Sequence, residues 1–84
     1  LTDLHPNPTR GGFEARLAGP FNSPVQAELF DAGGRGVRSL TVGDQGTIRW
    51  DGRGSDGNPV DAGAYFLRLR AGSARATEKL IVVR

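Results

Sequence analysis

Trp50-Asp51-Gly52-Arg53-Gly54-Ser55-Asp56-Gly57-Asn58-Pro59-Val60-Asp61-Ala62-Gly63 is the stretch whose reading decides the fold. It opens on the single tryptophan of the chain and continues as a run dense in Gly, Asp, Asn and Pro. Such residues do not readily extend a helix or a strand. They supply tight turns and side-chain-to-backbone hydrogen bonds. Alternating apolar segments flank the run, Thr47-Ile48-Arg49-Trp50 before it and Ala64-Tyr65-Phe66-Leu67-Arg68-Leu69 after it. The stretch therefore reads as a structured connection between two strands, with Trp50 plugging the core.

Working outward, the same period-2 alternation recurs. Phe13, Ala15 and Leu17 alternate with Glu14 and Arg16 as a first strand. Gly19 to Pro24 breaks it. Val25, Ala27 and Leu29 form the inward side of a second strand, and Phe30 falls on the outward side, where a loop or a partner is expected to cover it. Asp31 to Gly36 is a glycine-rich turn that admits positive φ. Val37 to Val42 gives a third strand, and Gly43 to Gly46 turns into the strand that ends at Trp50. Ala64 to Arg70 follows the organising loop, Ala71 to Ala74 turns again, and Arg75 to Val83 closes the chain. No segment has helical periodicity. Short strands at roughly 8–12-residue spacing with Gly/Pro turns indicate an antiparallel sandwich. Residues 1–10, with His5-Pro6-Asn7-Pro8, read as a stiff linker, and residues 11–84 as one β-sandwich domain.

Composition excludes several function classes. At 84 residues the chain buries about 60–65% of its unfolded surface, so its stability is a few kcal/mol. It has no cysteine and no methionine, and no apolar run approaches the ~20 residues of a membrane span. The opening Leu1-Thr2-Asp3-Leu4-His5 is not expected to be a signal peptide. The expectation is a piece of a longer protein, with Arg84 as that protein's natural end. The net charge is +2, and Arg supplies nearly all the cations. Arg16, Arg49, Arg68 and Arg70 alternate with apolar residues along strands, which reads as a solvated face rather than a nucleic-acid site.

Candidate chemistry is sparse. Gly52-x-Gly54-x-x-Gly57 has the form of a dinucleotide fingerprint but opens no helix to meet a pyrophosphate. Asp51, Asp56, Asn58 and Asp61 offer oxygens for calcium, but not at EF-hand spacing. Capping of turns by these side chains accounts for them without a metal. His5 is the single histidine, in the linker, so nucleophilic chemistry has almost no material. Asp56 and Asp61 lack pocket residues for acid–base work. The reading is of a protein that is not an enzyme and uses no cofactor. Trp50 and Tyr65 read as core residues in preference to a sugar-stacking platform.

Several pieces together resemble a known family. They are Asn7-Pro8, Val25-x-Ala27-x-Leu29-Phe30-Asp31, Gly34-Arg35-x-Val37-Arg38-x-Leu40, Trp50-Asp51-Gly52-Arg53, Gly57-x-Pro59-Val60, Gly63-x-Tyr65-Phe66 and Lys79-Leu80-Ile81-Val82-Val83-Arg84. This chain is similar to the immunoglobulin-like domain of the flagellar hook-capping protein. The same module resembles the C-terminal sorting domains of proteins exported by the bacterial type IX secretion system. Gly54 stands where members carry an acidic residue, Ala64 where a β-branched residue is usual, and Gly33 where a bulky one is usual.

The resemblance implies an immunoglobulin-like antiparallel β-sandwich of about seven strands. It implies a C-terminal module of a secreted or cell-surface bacterial protein that acts as a sorting or anchoring signal. The partners would be the secretion machinery or neighbouring subunits. A structural assembly module and a carbohydrate-binding or adhesion domain are the alternatives. The structural loop and core would be Trp50, Asp51, Gly52, Gly57, Gly63 and Tyr65. The recognition strand would be Lys79, Leu80, Ile81, Val82, Val83 and Arg84, read by strand addition and by its charged ends. A central, doubly buried strand would show the same continuous apolar run.

Overall fold

The computed structural model describes residues 4–5, 9–16, 25–43 and 46–83. The expectations for Pro6 to Pro8, Leu17, the Gly19 to Pro24 break, Asp44, Gln45 and Arg84 lie outside the described residues. The strands are β1 (Leu4–His5), β2 (Phe13–Arg16), β3 (Val25–Asp31), β4 (Gly36–Leu40), β5 (Thr47–Trp50), β6 (Gly63–Ala71) and β7 (Ala74–Val82). β1 is a two-residue pairing on β2, so six strands of four residues or more build the framework, where the sequence reading expects seven. The described residues include no helix, and hence none long and apolar enough to cross a membrane.

Two antiparallel sheets form, one of order β1-β2-β5 and one of order β4-β3-β6-β7. Alternation then sorts the side chains, because successive residues of a strand face opposite ways. Phe13, Ala15, Ile48 and Trp50 from the first sheet meet Ala27, Leu29, Tyr65, Leu67, Leu69, Leu80 and Val82 from the second in one buried cluster. Their polar neighbours Glu14, Arg49, Glu28, Arg68 and Arg70 are exposed. The turn Asp31 to Gly36 works as its residue types demand. The Asp31 Oδ1 accepts the N–H groups of Gly33 and Arg35 at 3.0 and 2.9 Å, and Gly34 takes φ +87°.

Two readings are refined. β7 lies at the edge of its four-stranded sheet, so the alternative of a central strand does not hold, although Thr9 flanks the end of β7. Leu80 and Val82 face the core, while Ile81 is half-buried beside Ala64 on the outer face. The segment read as a linker is partly built into the sandwich. Leu4–His5 pair with Ala15 and Glu14. Thr9 is 2% exposed and bridges Val82 in parallel.

Candidate functional site at the loop after Trp50 and the closing strand

The loop after Trp50 is held by its own polar groups together with Val37 and Arg38 of β4 and Tyr65 of β6. The Trp50 indole Nε1–H donates to the Arg53 carbonyl at 2.8 Å. The Asp51 Oδ1 accepts the Arg53 N–H at 3.0 Å and the Arg38 Nη1 at 2.6 Å. Arg38 Nη1 also donates to the Arg53 carbonyl at 3.1 Å. Further on, the Asp56 Oδ1 accepts the Asn58 N–H at 2.9 Å, and Arg53 Nη1 donates to the Gly57 carbonyl at 2.7 Å. Main-chain bonds from Gly54 to Asn58, from Gly57 to Gly54 and from Val60 to Gly52 close the rest, and Ser55 N–H ties the loop to the Val37 carbonyl of β4. Asp51 and Asp56 thus each bond the N–H two residues on, the standard use of Asp in a turn.

The carboxyl of Asp51 is held below its ordinary value. The Arg53 N–H bond is the main cause, opposed by some desolvation and reinforced by the Arg38 charge. The Arg38 and Asp51 side chains are 33% and 54% exposed, so solvent screens the pair, and it fixes geometry more than it adds stability.

Beneath the loop, Trp50 packs between two other rings. Its centroid is 5.8 Å from Phe13 and 6.2 Å from Tyr65, both tilted. Tyr65 O–H donates to the Asp61 carbonyl at 2.7 Å and so anchors the far end of the loop to β6. Trp50 and Tyr65 are 4% and 7% exposed, so neither offers a flat face to a sugar. Two glycines seat this cluster. A Cβ on Gly52 would stand 1.8 Å from the Gly11 carbonyl oxygen, and one on Gly12 would stand 1.8 Å from that of Trp50. The start of β2 and the end of β5 approach more closely than any side chain permits. Gly52 also takes φ +84°.

The closing strand presents a different surface. Lys79 is exposed, Leu80 and Val82 are buried, Ile81 is half-buried and Val83 is 36% exposed. Its main chain near the end is already engaged: the Ile81 carbonyl accepts the Thr9 N–H at 2.8 Å, and Val83 N–H donates to the Thr9 carbonyl at 2.8 Å. Thr9 is fixed in turn by its hydroxyl, which donates to the Gly12 carbonyl and accepts the Gly11 N–H at 3.2 Å. An added strand would have to displace Thr9 to pair at this point.

The family model of the FlgD Ig-like domain matches residues 6–75, more than half of the chain. The chain belongs to the FlgD Ig-like domain family. This FlgD Ig-like domain has no significant match among curated proteins. Among solved structures, it superimposes on part of PorZ of Porphyromonas gingivalis with a TM-score of 0.80 at 22% identity. PorZ is described as an essential bacterial surface component of the type IX secretion system. It also superimposes on part of dimeric latent PorU of the same organism, with a TM-score of 0.72 at 27% identity. The superpositions cover 99% and 98% of this chain but 11% and 9% of PorZ and PorU, so it spans about a tenth of either.

Within the FlgD Ig-like domain the structure brings Trp50, Asp51, Gly52 and Tyr65 into one cluster. Gly57, at φ +83°, makes a turn away from the core, and Gly63 starts β6 opposite Val82. Residue-by-residue reading missed Arg38, which reaches Asp51 from thirteen positions away, and Thr9 with Gly11 and Gly12. Arg38 and Asp51 are both in the motifs that carry the family resemblance, which was the available signal. Nothing in the sequence marked Thr9.

Proposed function

We propose that this domain is a non-catalytic module of a secreted or cell-surface bacterial protein, which it directs or anchors by way of type IX export machinery. The observation that carries the proposal is one of proportion. The chain matches PorZ over nearly its own whole length and over only a tenth of PorZ, as expected of a module attached to larger secretion-associated proteins. The structure supports a scaffold in preference to a catalyst. In the Asp-rich loop the carboxylates of Asp51 and Asp56 bond the loop's own main chain, and the aromatic rings fill the core. On this reading the machinery recognises the folded surface around Lys79 to Arg84. Because Thr9 occupies the main chain at Ile81 and Val83, recognition proceeds through side chains there.

The test is a reporter carrying its own signal peptide, expressed with and without residues 1–84 at its C-terminus in a host with a type IX system. The proposal expects surface or medium localisation only with the domain and only in a secretion-competent strain. Periplasmic retention of a folded fusion would reject it. An assembly module is the second reading, favoured by Phe30 and Phe66, which face outward from the sheet as cross-strand partners. It predicts a concentration-dependent oligomer in the same preparations.

A further inference from the structure

The outer face of the four-stranded sheet carries chemistry that neither the core nor the loop uses. Strand register arranges it in rows. Phe30, Phe66 and Lys79 form one row across β3, β6 and β7; Glu28, Arg68 and Thr77 form the next; Gln26, Arg70 and Arg75 form the third. Their chain neighbours Leu29, Leu67 and Leu69 are buried, so these rows point to solvent. Phe30 and Phe66 are half-buried, and the Arg68 guanidinium lies 4.4 Å from the Phe30 ring centroid. A hollow of about 190 Å³ opens among Phe30, Phe66, Arg68 and Thr77, with Asp31 on its rim. Asp31 spends its carboxylate on the turn that follows it.

Charge on this face is one-sided. Arg68, Arg70, Arg75 and Lys79 stand against the carboxylates of Glu28 and, at the rim of the hollow, Asp31, about +2 on this face, as much as the net charge of the whole chain. Arg38 pairs with Asp51 and Arg49 with Glu14 away from this face. Phe66, Arg68 and Arg70 follow one another at every second position of β6, a repeat of about 7 Å. Alternate side chains of an extended peptide have the same repeat.

We propose that this face docks an extended acidic segment of a partner protein with the pattern apolar-x-acidic-x-acidic. The apolar side chain seats in the hollow between Phe30 and Phe66. The first carboxylate meets Arg68, and the second meets Arg70 and its cross-strand neighbour Arg75. A guanidinium fork pairs well with carboxylate. Single-stranded nucleic acid fits less well, because it needs aromatic rings spaced along the track and both rings here sit at one end. The inference goes beyond the export proposal and stands or falls separately from it.

The test uses residues 1–84 and a fluorescein-labelled Phe-Ser-Glu-Ser-Glu peptide, read by anisotropy. A Phe-Ser-Lys-Ser-Lys peptide and a short oligo-dT of equal labelling are compared with it. The acidic peptide is expected to bind more tightly than either, and less tightly as salt rises. The double variant Arg68→Glu/Arg70→Glu is expected to lose at least about tenfold in affinity, which corresponds to about 1.4 kcal/mol. Phe66→Ala is expected to weaken binding without abolishing the salt dependence. Trp50 emission confirms that each variant is folded. Failure of the acidic peptide to bind, oligo-dT binding as tightly, or unchanged affinity in the folded Arg variant would each overturn the proposal.

Discussion

Gly52→Ala tests the close seating of the loop on the core, and Gly57→Ala is its internal control. The two glycines share a backbone conformation, with φ of +84° and +83°. Their surroundings differ. A Cβ on Gly57 meets nothing within 4 Å, whereas one on Gly52 lies 1.8 Å from the Gly11 carbonyl oxygen and 2.5 Å from its carbon. Both substitutions incur the left-handed penalty of about 1–2 kcal/mol. Gly52→Ala must in addition part residues 11 and 52 by more than about 1 Å, main chain from main chain, with no flexible side chain to yield. That movement pulls on the Phe13 to Trp50 pairing next to it. Overpacking of this kind adds about 1–3 kcal/mol. For a domain of this size each kcal/mol lowers Tm by about 4–8 °C. Thermal and urea melts followed by Trp50 emission should therefore show Gly52→Ala losing about twice as much stability as Gly57→Ala, or more. Equal losses would refute the close-approach argument and leave only the shared φ.

Trp50→Ala should cost about 3–5 kcal/mol and unfold most of the population, with native emission blue-shifted until denaturation. Emission like that of free tryptophan in the folded wild type would contradict the buried placement. Because the carboxyl of Asp51 is depressed in the fold, its bonds stabilise the domain above the ordinary value of 3.8 and are lost as pH falls through the lowered one. Asp51→Asn should accordingly flatten the acid limb of a stability–pH curve, and an unchanged limb would remove Asp51 from the account. Chelator and millimolar calcium should leave Tm unchanged. Binding at a hundredfold excess over Kd would instead raise stability by about 2.7 kcal/mol.

Much of this arrangement was readable before the structure. Alternation at Phe13/Ala15, Ala27/Leu29, Ile48/Trp50 and Tyr65/Leu67/Leu69 identified the inward side chains, because period 2 leaves one choice of face once one side is apolar. Gly34 and Gly52 fell in turns where residue type announces the conformation. The rest depended on long-range register. Thr9 is a polar residue just after Pro8, and its burial follows from pairing with a strand more than seventy positions away. The edge position of β7 was hidden for a related reason. Leu80 and Val82 supply the core, and Ile81 joins the apolar outer face next to Ala64, so two separate demands made one continuous apolar run. Arg38 was legible as a family motif residue but not as the partner of Asp51, since hairpin periodicity says nothing about which loop lies over β4.

The export proposal names the closing strand as the recognised surface, and one measurement tests the two together. Residues 1–84 are fused behind a signal-peptide-bearing reporter in a type IX host. The fusion is compared with one carrying Lys79→Ser and Arg84→Ser, changes that leave Leu80 and Val82 in the core. The account predicts that the first reaches the cell surface or medium while the second stays in the periplasm, with equal melting temperatures. Equal export of both fusions would contradict recognition through the closing strand, and export of neither although both fold would contradict the export role itself.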